Sequence, residues 1–325
     1  MTQAVGMQAV GIASLPPLGS LPLARGTADR GSTFRASPGL FDRLWEQPAT
    51  RVLHLARKRS PLRNGRLMLS SVADVARPEN PVYLGSTAEA TEHLPTGTHI
   101  VLVEHEDIQE GLAAEASWVG LREAAAGLSA LEAGLFVEAM AISNWHATHT
   151  HCPRCGEPTS PIDGGWVRRC PADESLHFPR TDPAIIVTVT DEEDRLLLGS
   201  SAAWPENRFS TLAGFVEPGE SLEAAVVREV EEESGIVVHS PTYLGSQPWP
   251  FPASLMLGFT AKASHALPVP DGVEIREVRW FTREDLFTGL KEDRISVASG
   301  ASIARALIEH WYGGPLDEEP SAGRP

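Results

Sequence analysis

The chain has 325 residues, of which 42% are hydrophobic and 22% charged; these proportions exclude wholesale disorder and collagen-like repetition and leave room for two domains. Lysine and arginine total 27 against 43 acids, a formal charge of −16, so a nucleic-acid partner needs a local basic site rather than long-range attraction. No stretch reaches about 18 consecutive apolar residues, so nothing is expected to span a bilayer, and three cysteines cannot build a secreted disulfide framework.

The start, MTQAVGMQAVGIASLPPLGSLPLARG, lacks a basic n-region, and Pro16 and Pro17 interrupt its apolar part, so a cytoplasmic protein is expected. Residues 1–38 are rich in Pro, Gly, Ser and Ala without periodicity and are expected to be disordered. Within 39–145 the short apolar runs RVLHLA, RLMLS, PVYLGS and HIVLVE are separated by turn formers such as Asn64-Gly65, as in a small sheet. Ala133, Phe136, Val137, Met140, Ala141 and Asn144 then recur with the spacing of a helix that has one buried face.

That helix leads into Cys152-Pro-Arg-Cys155 and, after fourteen intervening residues, Cys170. This is the spacing of a structural zinc ribbon with one thiolate missing. His146, His149 and His151, just upstream, lack the further ligands a second metal site needs and are read as helix-end or surface residues. From 180 the pattern changes. AIIVTVT, RLLLGS, STLAGF, YLGSQPW, LMLGFTAKA and EVRWFT are strand candidates, interrupted by a helix over 221–234 and followed by another over 303–311. Strands with helices between them predict an α/β sandwich over 180–313, since a sheet with two apolar faces needs cover on both. The tail 314–325, GPLDEEPSAGRP, is expected to be flexible.

The chemistry concentrates in GFVEPGESLEAAVVREVEEESGI, residues 214–236. Ser221 suits the N-cap and Gly235 the left-handed C-terminal position. Glu229, Glu231, Glu232 and Glu233 crowd the end where the helix dipole is already negative, so a cation should offset them. Glu232 and Glu233 stand about 300° and about 40° round the helix from Glu229, so all three project from one side. Such oxygen-only ligands suit Mg²⁺ or Mn²⁺ and a reaction at phosphate. A solvated acidic helix face is the competing reading. Downstream, Ser246-Gln247-Pro248-Trp249-Pro250-Phe251-Pro252-Ala253-Ser254 cannot be helical and sets flat rings beside an amide, a suitable lining for a heterocycle pocket. Aromatics serving the core are the alternative there.

Gly214, five residues, Glu220, seven residues, then Arg228-Glu229-Val230-x-Glu232-Glu233-x-Gly235-Ile236 matches the Nudix box at every defined position, so 180–313 resembles a Nudix hydrolase domain. SQPWPFPxSLM, about ten residues after that box, is similar to the hallmark of the NADH pyrophosphatase subfamily, and the resemblance covers roughly Trp118 to Trp311. It implies an α/β fold: a Nudix α/β/α sandwich, a small zinc-ribbon segment over 146–179 and an N-terminal α+β domain over 39–145. It also implies metal-dependent hydrolysis of the diphosphate of NADH or NAD⁺ to nicotinamide mononucleotide plus AMP. Members of the subfamily also remove NAD caps from RNA 5′ ends, and they are typically homodimers.

By the resemblance, Glu229, Glu232, Glu233, Glu274 and the Ala213 carbonyl face the Mg²⁺ or Mn²⁺, with Arg228 and Glu220 in support. Glu229, Glu233 and Glu274 are the candidates for the base. Gln247, Pro248, Trp249, Pro250, Phe251, Pro252, Ala253 and Ser254 are expected to contact the dinucleotide, Phe178 and Phe215 to sandwich the nicotinamide, and Ala304 and Arg122 to touch substrate. The subfamily's fourth zinc-site cysteine falls at or just after Asp173, so Zn²⁺ is expected on Cys152, Cys155, Cys170 and Asp173, with His177 the alternative. Gly165 stands where some relatives carry an acid before the tryptophan equivalent to Trp166, so one substrate contact is in question. An ADP-ribose or other nucleoside-diphosphate pyrophosphatase, a non-catalytic nucleotide sensor and a zinc-ribbon nucleic-acid module are the competing functions.

Overall fold

The computed structural model describes residues 17–114, 116–264 and 266–318. Three sheets follow one another along the chain. The first contains β1 (Ala28–Asp29), β2 (Arg51–Ala56), β3 (Arg59–Arg63), β4 (Arg66–Leu67), β5 (Leu69–Ser71), β6 (Val82–Thr87), β7 (His99–His105) and β8 (Ser117–Gly120). Its order is β1-β6-β7-β2-β3-β4, with β5 on β2 and β8 on β3, and β2 runs parallel to β7. Side chains alternate across a strand, and both faces are used. Leu53, Leu55, Leu84, Ile100 and Leu102 join one core. Val52, Tyr83, Val101 and Val103 join another, which Leu40 and Leu44 cap.

Four short helices, α1 (Ser32–Arg35), α2 (Leu40–Glu46), α3 (Glu110–Ala113) and α4 (Leu121–Ala124), precede the long α5 (Ala130–Thr148). A capping box starts α5: Ser129 accepts from the Glu132 N–H and the Glu132 side chain reaches back to Ser129. The sequence predicted one buried face for this helix. In the structure Leu131, Ala133, Leu135, Phe136, Val137, Ala139, Met140, Ile142 and Trp145 are all buried, because α5 is covered by more than one unit.

The second sheet is a three-stranded knuckle, β9 (Ser160–Ile162), β10 (Val167–Arg169) and β11 (Leu176–His177), in the order β11-β10-β9. His146, set aside as a ligand, is structural here: its Nε2 faces the Gly165 carbonyl at 2.8 Å while Nδ1 meets Arg168 at 2.9 Å.

The third sheet carries the glutamate helix. Its strands are β12 (Asp182–Thr190), β13 (Leu196–Ser201), β14 (Leu212–Phe215), β15 (Val238–Trp249), β16 (Ser254–Ala263) and β17 (Ile275–Phe281), in the order β15-β16-β12-β13-β17 with β14 on β12. β12 and β16 run parallel from Asp182 opposite Ser254 to Thr190 opposite Lys262. Ile185, Val187 and Val189 pack with Ala225, Val226 and Val230 of α6 (Leu222–Ser234). Ile186, on the opposite face, packs with Ile303, Ala304 and Leu307 of α8 (Ile303–Tyr312). The two-sided cover read from the sequence is therefore present. α7 (Arg283–Lys291) had no place in that reading.

Two expectations about the ends need correction. Residues 1–16 lie outside the described residues, but 17–38 do not lack structure. Leu21 and Leu23 are 3% and 1% exposed, and Leu18 N–H donates to the Leu244 carbonyl at 3.1 Å. Arg25 donates to the carbonyls of Ala125 and Leu128. Gly26 lies so close to Gly134 of α5 that a Cβ at 134 would fall 2.4 Å from the Gly26 Cα. This strap has apolar anchors without periodicity, which is why pattern reading passed over it. At the other end Leu316 is buried and Tyr312 Oη donates to the Glu318 carbonyl, so the tail is held to 318, while 319–325 lie outside the described residues.

Candidate active site

α6 begins and ends as its sequence dictates. Ser221 Oγ accepts from the Ala224 N–H at 3.2 Å, and Gly235 closes the helix at φ 66°, the left-handed conformation that glycine adopts freely. Arg228 organises the acids. Its guanidinium donates to Glu220, to Glu229 at 2.8 Å, to Glu232 at 3.0 Å and to the Phe215 carbonyl at 3.0 Å. Those contacts raise its own pKa, with Glu220 the largest cause. Gly214 makes the approach possible, because a Cβ there would fall 2.0 Å from the Glu229 carboxyl carbon.

Glu229 and Glu233 lie one helical turn apart, near enough for the charge of one to be felt at the other. Burial raises the Glu229 pKa despite Arg228. Glu233 is pushed up to about 8, first by burial and then by the charges of Glu229 and Glu274, with Asp271 adding to them. Its Oε2 is buried with no hydrogen-bond partner, although buried polar atoms are almost always paired. Asp271 had no signal in the motif. Its carboxylate accepts from the backbone N–H groups of Glu274 and Ile275 at 3.0 and 2.8 Å, fixing the turn that brings Glu274 to the helix.

Two concavities meet at Ala213, Met256 and Glu274. One, of about 320 Å³, also holds Glu233, Trp204, Arg208, Thr211, Trp249 and Ala304. The other, of about 460 Å³, holds Gly214, Phe215, Arg228, Glu229, Glu232 and Ser254. The acids expected at the metal are thus gathered at a junction between pockets. One buried carboxylate with an orphaned oxygen, Glu233, beside the partly buried Glu229 and the exposed Glu274 and next to the Ala213 backbone, makes an oxygen donor set that fits hard divalent cations.

The aromatic and proline segment divides. Trp249 and Ser254 line the concavities, but Gln247 does not reach them. It is fully buried, its amide donating to the Ala301 carbonyl at 3.0 Å and accepting from the Leu23 N–H at 3.4 Å. Gln247 therefore ties the strap to the loop before α8, and any part it has in the cleft is to position the strand that carries Trp249. Pro248 faces the strap and α5 beside Arg30 and Glu138. The turn through Pro250, Phe251, Pro252 and Ala253 is pinned by Asn144, whose amide donates to the carbonyls of Pro250 and Pro252, each at 2.9 Å. Arg122 lies 4.0 Å from the Phe251 ring centroid and 5.0 Å from that of Trp249, so the N-terminal unit does reach this segment. Phe178 and Phe215 are 62% and 57% exposed, and among the described residues no ring contact joins them.

In the knuckle, one ligand atom from each of Cys152, Cys155, Cys170 and Asp173 lies within 4.8 Å of all the others. Asp173 is held ionised by Ser175, whose side chain and backbone N–H both donate to it. His177 Nε2 faces Ser175 Oγ at 3.1 Å, so the aspartate rather than the histidine completes the set. Three soft donors and a carboxylate suit tetrahedral zinc.

The NUDIX domain family matches residues 180–300, and the NADH pyrophosphatase zinc ribbon domain matches 147–178. A Mycobacterium bovis protein named NAD-capped RNA hydrolase NudC is 38% identical over 312 residues, covering 90% of this chain and 96% of its own length. The human protein named NAD-capped RNA hydrolase NUDT12 is 41% identical over 192 residues, 55% of this chain and 42% of its own. Among solved structures, a NUDIX hydrolase from Nitrosomonas europaea overlays with TM-score 0.41 and 23% identity over 51% of this chain and 94% of that one. With its glutamate helix, its Cys₃Asp knuckle and near end-to-end similarity to a curated relative, the chain belongs to the Nudix hydrolases that carry an NADH pyrophosphatase zinc ribbon.

Proposed function

We propose that this protein hydrolyses the diphosphate of NADH and NAD⁺ to nicotinamide mononucleotide and AMP, and cleaves the same bond in NAD-capped RNA; the zinc ribbon it matches is that of NADH pyrophosphatase, and its relatives are named NAD-capped RNA hydrolases. The observation that carries the reading is the buried, unpartnered Glu233 oxygen beside Glu229 and Glu274 at the junction of two concavities. Glu229, Glu233, Glu274 and the Ala213 carbonyl would hold Mg²⁺ or Mn²⁺, with Glu232 at the solvent edge. Such ions, when bound, acidify water and neutralise the charge that grows on diphosphate oxygens.

The chain's own residues do the rest. Arg228 fixes Glu229 and Glu232 and takes one oxygen of each out of play. Glu233 offers the orphaned oxygen that a cation would complete, and Glu229, Glu233 and Glu274 are the acceptors within the cluster for the proton of the attacking water. Trp249, Met256 and Ala304 give the apolar wall against which a base rests, and Ser254 borders the diphosphate side. Cys152, Cys155, Cys170 and Asp173 would hold Zn²⁺, which would brace the knuckle. None of the three cysteines is paired in a disulfide, and thiolates kept for a metal support a reducing, cytoplasmic location. Exposure of Leu176, Phe178 and Phe215 supports a homodimer.

Incubation with NADH and Mn²⁺ is expected to release reduced nicotinamide mononucleotide and AMP, resolved by mass, from a protein that carries one zinc per chain by metal analysis. Glu233→Gln is expected to lower turnover by ~100-fold or more with an unchanged unfolding midpoint. Cleavage of ADP-ribose with NADH left intact would sink the assignment.

A further inference from the structure

We propose that Arg208, seated on Trp204, is a phosphate-binding group of the cleft, gripping an anionic oxygen of the substrate away from the carboxylates. The inference rests on the hydrolase reading above. Arg208 lines the same concavity as Glu233, Glu274, Trp249 and Ala304 and is the one cation among the described residues lining it. The other arginines nearby are committed: Arg228 to Glu220, Glu229 and Glu232, and Arg276 to Ser200 Oγ and the Pro205 carbonyl. Arg208 makes no ion pair among the described residues.

Its backbone is nevertheless fixed. The neighbouring Phe209 is fully buried and donates to the Ser296 carbonyl at 2.8 Å, and Ser296 donates to the Asn207 carbonyl at 2.8 Å. The guanidinium lies 4.8 Å from the Trp204 ring centroid. An arginine stacked on an indole is held by its face and keeps its N–H groups free for two-point contact with phosphate. A second observation in the same wall points to a ligand: Thr211 Oγ1 is buried with no hydrogen-bond partner. An acidic cleft that receives a polyanion needs cationic contacts beyond its metal ions, and Arg208 is placed to supply one.

The phosphate could belong to the diphosphate being cut or to the first phosphodiester of an RNA body, and the same variants separate the two. Arg208→Gln and Arg208→Lys are compared with the unaltered protein on NADH and on a short NAD-capped RNA, with Mn²⁺. Arg208→Gln is expected to raise KM ~10-fold while kcat stays within about twofold, and Arg208→Lys to recover part of the loss. A rise for both substrates assigns the diphosphate, and a rise for capped RNA alone assigns the phosphodiester. Unchanged KM for both, or a fall in kcat alone, overturns the proposal. Should the unaltered protein cleave neither substrate, the hydrolase reading fails, and calorimetry with inorganic pyrophosphate still decides this one: ~10-fold weaker binding by Arg208→Gln supports it and equal binding overturns it.

Discussion

Gly214 sets the position of the acidic cluster through the absence of a side chain. Any Cβ there meets the Glu229 carboxylate within covalent-like distance, so Gly214→Ala must drive Glu229 away from Glu233 or bow β14. The expected result is a higher Mn²⁺ requirement, activity down ~10- to 100-fold, and destabilisation of about 1–3 kcal/mol from overpacking, read by metal titration and by urea unfolding. Wild-type metal dependence in that variant would show that Glu229 needs no such approach. At this scale the glutamates were legible because their juxtaposition follows from angles along one helix. Gln247 was not legible, since its partners Leu23 and Ala301 are distant in sequence. The fourth knuckle ligand fell in between. Spacing left Asp173 and His177 open, and the hydroxyl of Ser175 decides between them.

Among the elements, α6 announces itself through Ser221 and Gly235, and the strands of the third sheet through apolar runs buried on both faces. α7 has an equally good local signal, a capping box from Thr282 and Asp285, that was passed over beside the louder pattern of α8. The strap over 17–30 is different. Its three leucines and two glycines have no period, and its shape is dictated by the grooves it fills. Leu23, 1% exposed in the first core, carries much of that anchoring. Leu23→Ala is expected to cost about 2–4 kcal/mol, measured as a lowered urea midpoint, and to loosen Gln247 and with it the turn carrying Trp249. A cost below about 0.5 kcal/mol, as at an ordinary surface site, would mean that the strap is not anchored there.

For the whole molecule, α5 is the seam between units, and it carries a buried acid. Glu138 is 5% exposed, paired with Arg30 at 3.3 Å and left with one oxygen unpartnered. Burial pushes its carboxyl up to about 7 from the ordinary 4.5, with Arg30 and Arg35 opposing. The folded chain therefore holds this proton more tightly than the unfolded one. Its contribution to stability is complete below about pH 4.5 and is lost as pH rises through about 7, at most about 3 kcal/mol. Urea midpoints are expected to fall between about pH 5 and about pH 8, and Glu138→Gln is expected to flatten that fall. An equal slope in the variant would assign the dependence to other groups.

The knuckle has one further consequence. Its last strand, β11, ends at His177, immediately before Phe178, and Asp173 and Ser175 lie just upstream of that strand. The backbone at Phe178 is thus set by the clamp, whereas Glu229, Glu232 and Glu233 take their positions from α6. On the proposed reading, stripping a transition metal from Cys152, Cys155, Cys170 and Asp173 with a chelator, while alkaline-earth ions remain in excess, is expected to blunt discrimination between NADH and ADP-ribose and spare the cutting step, checked by comparing rates on the two.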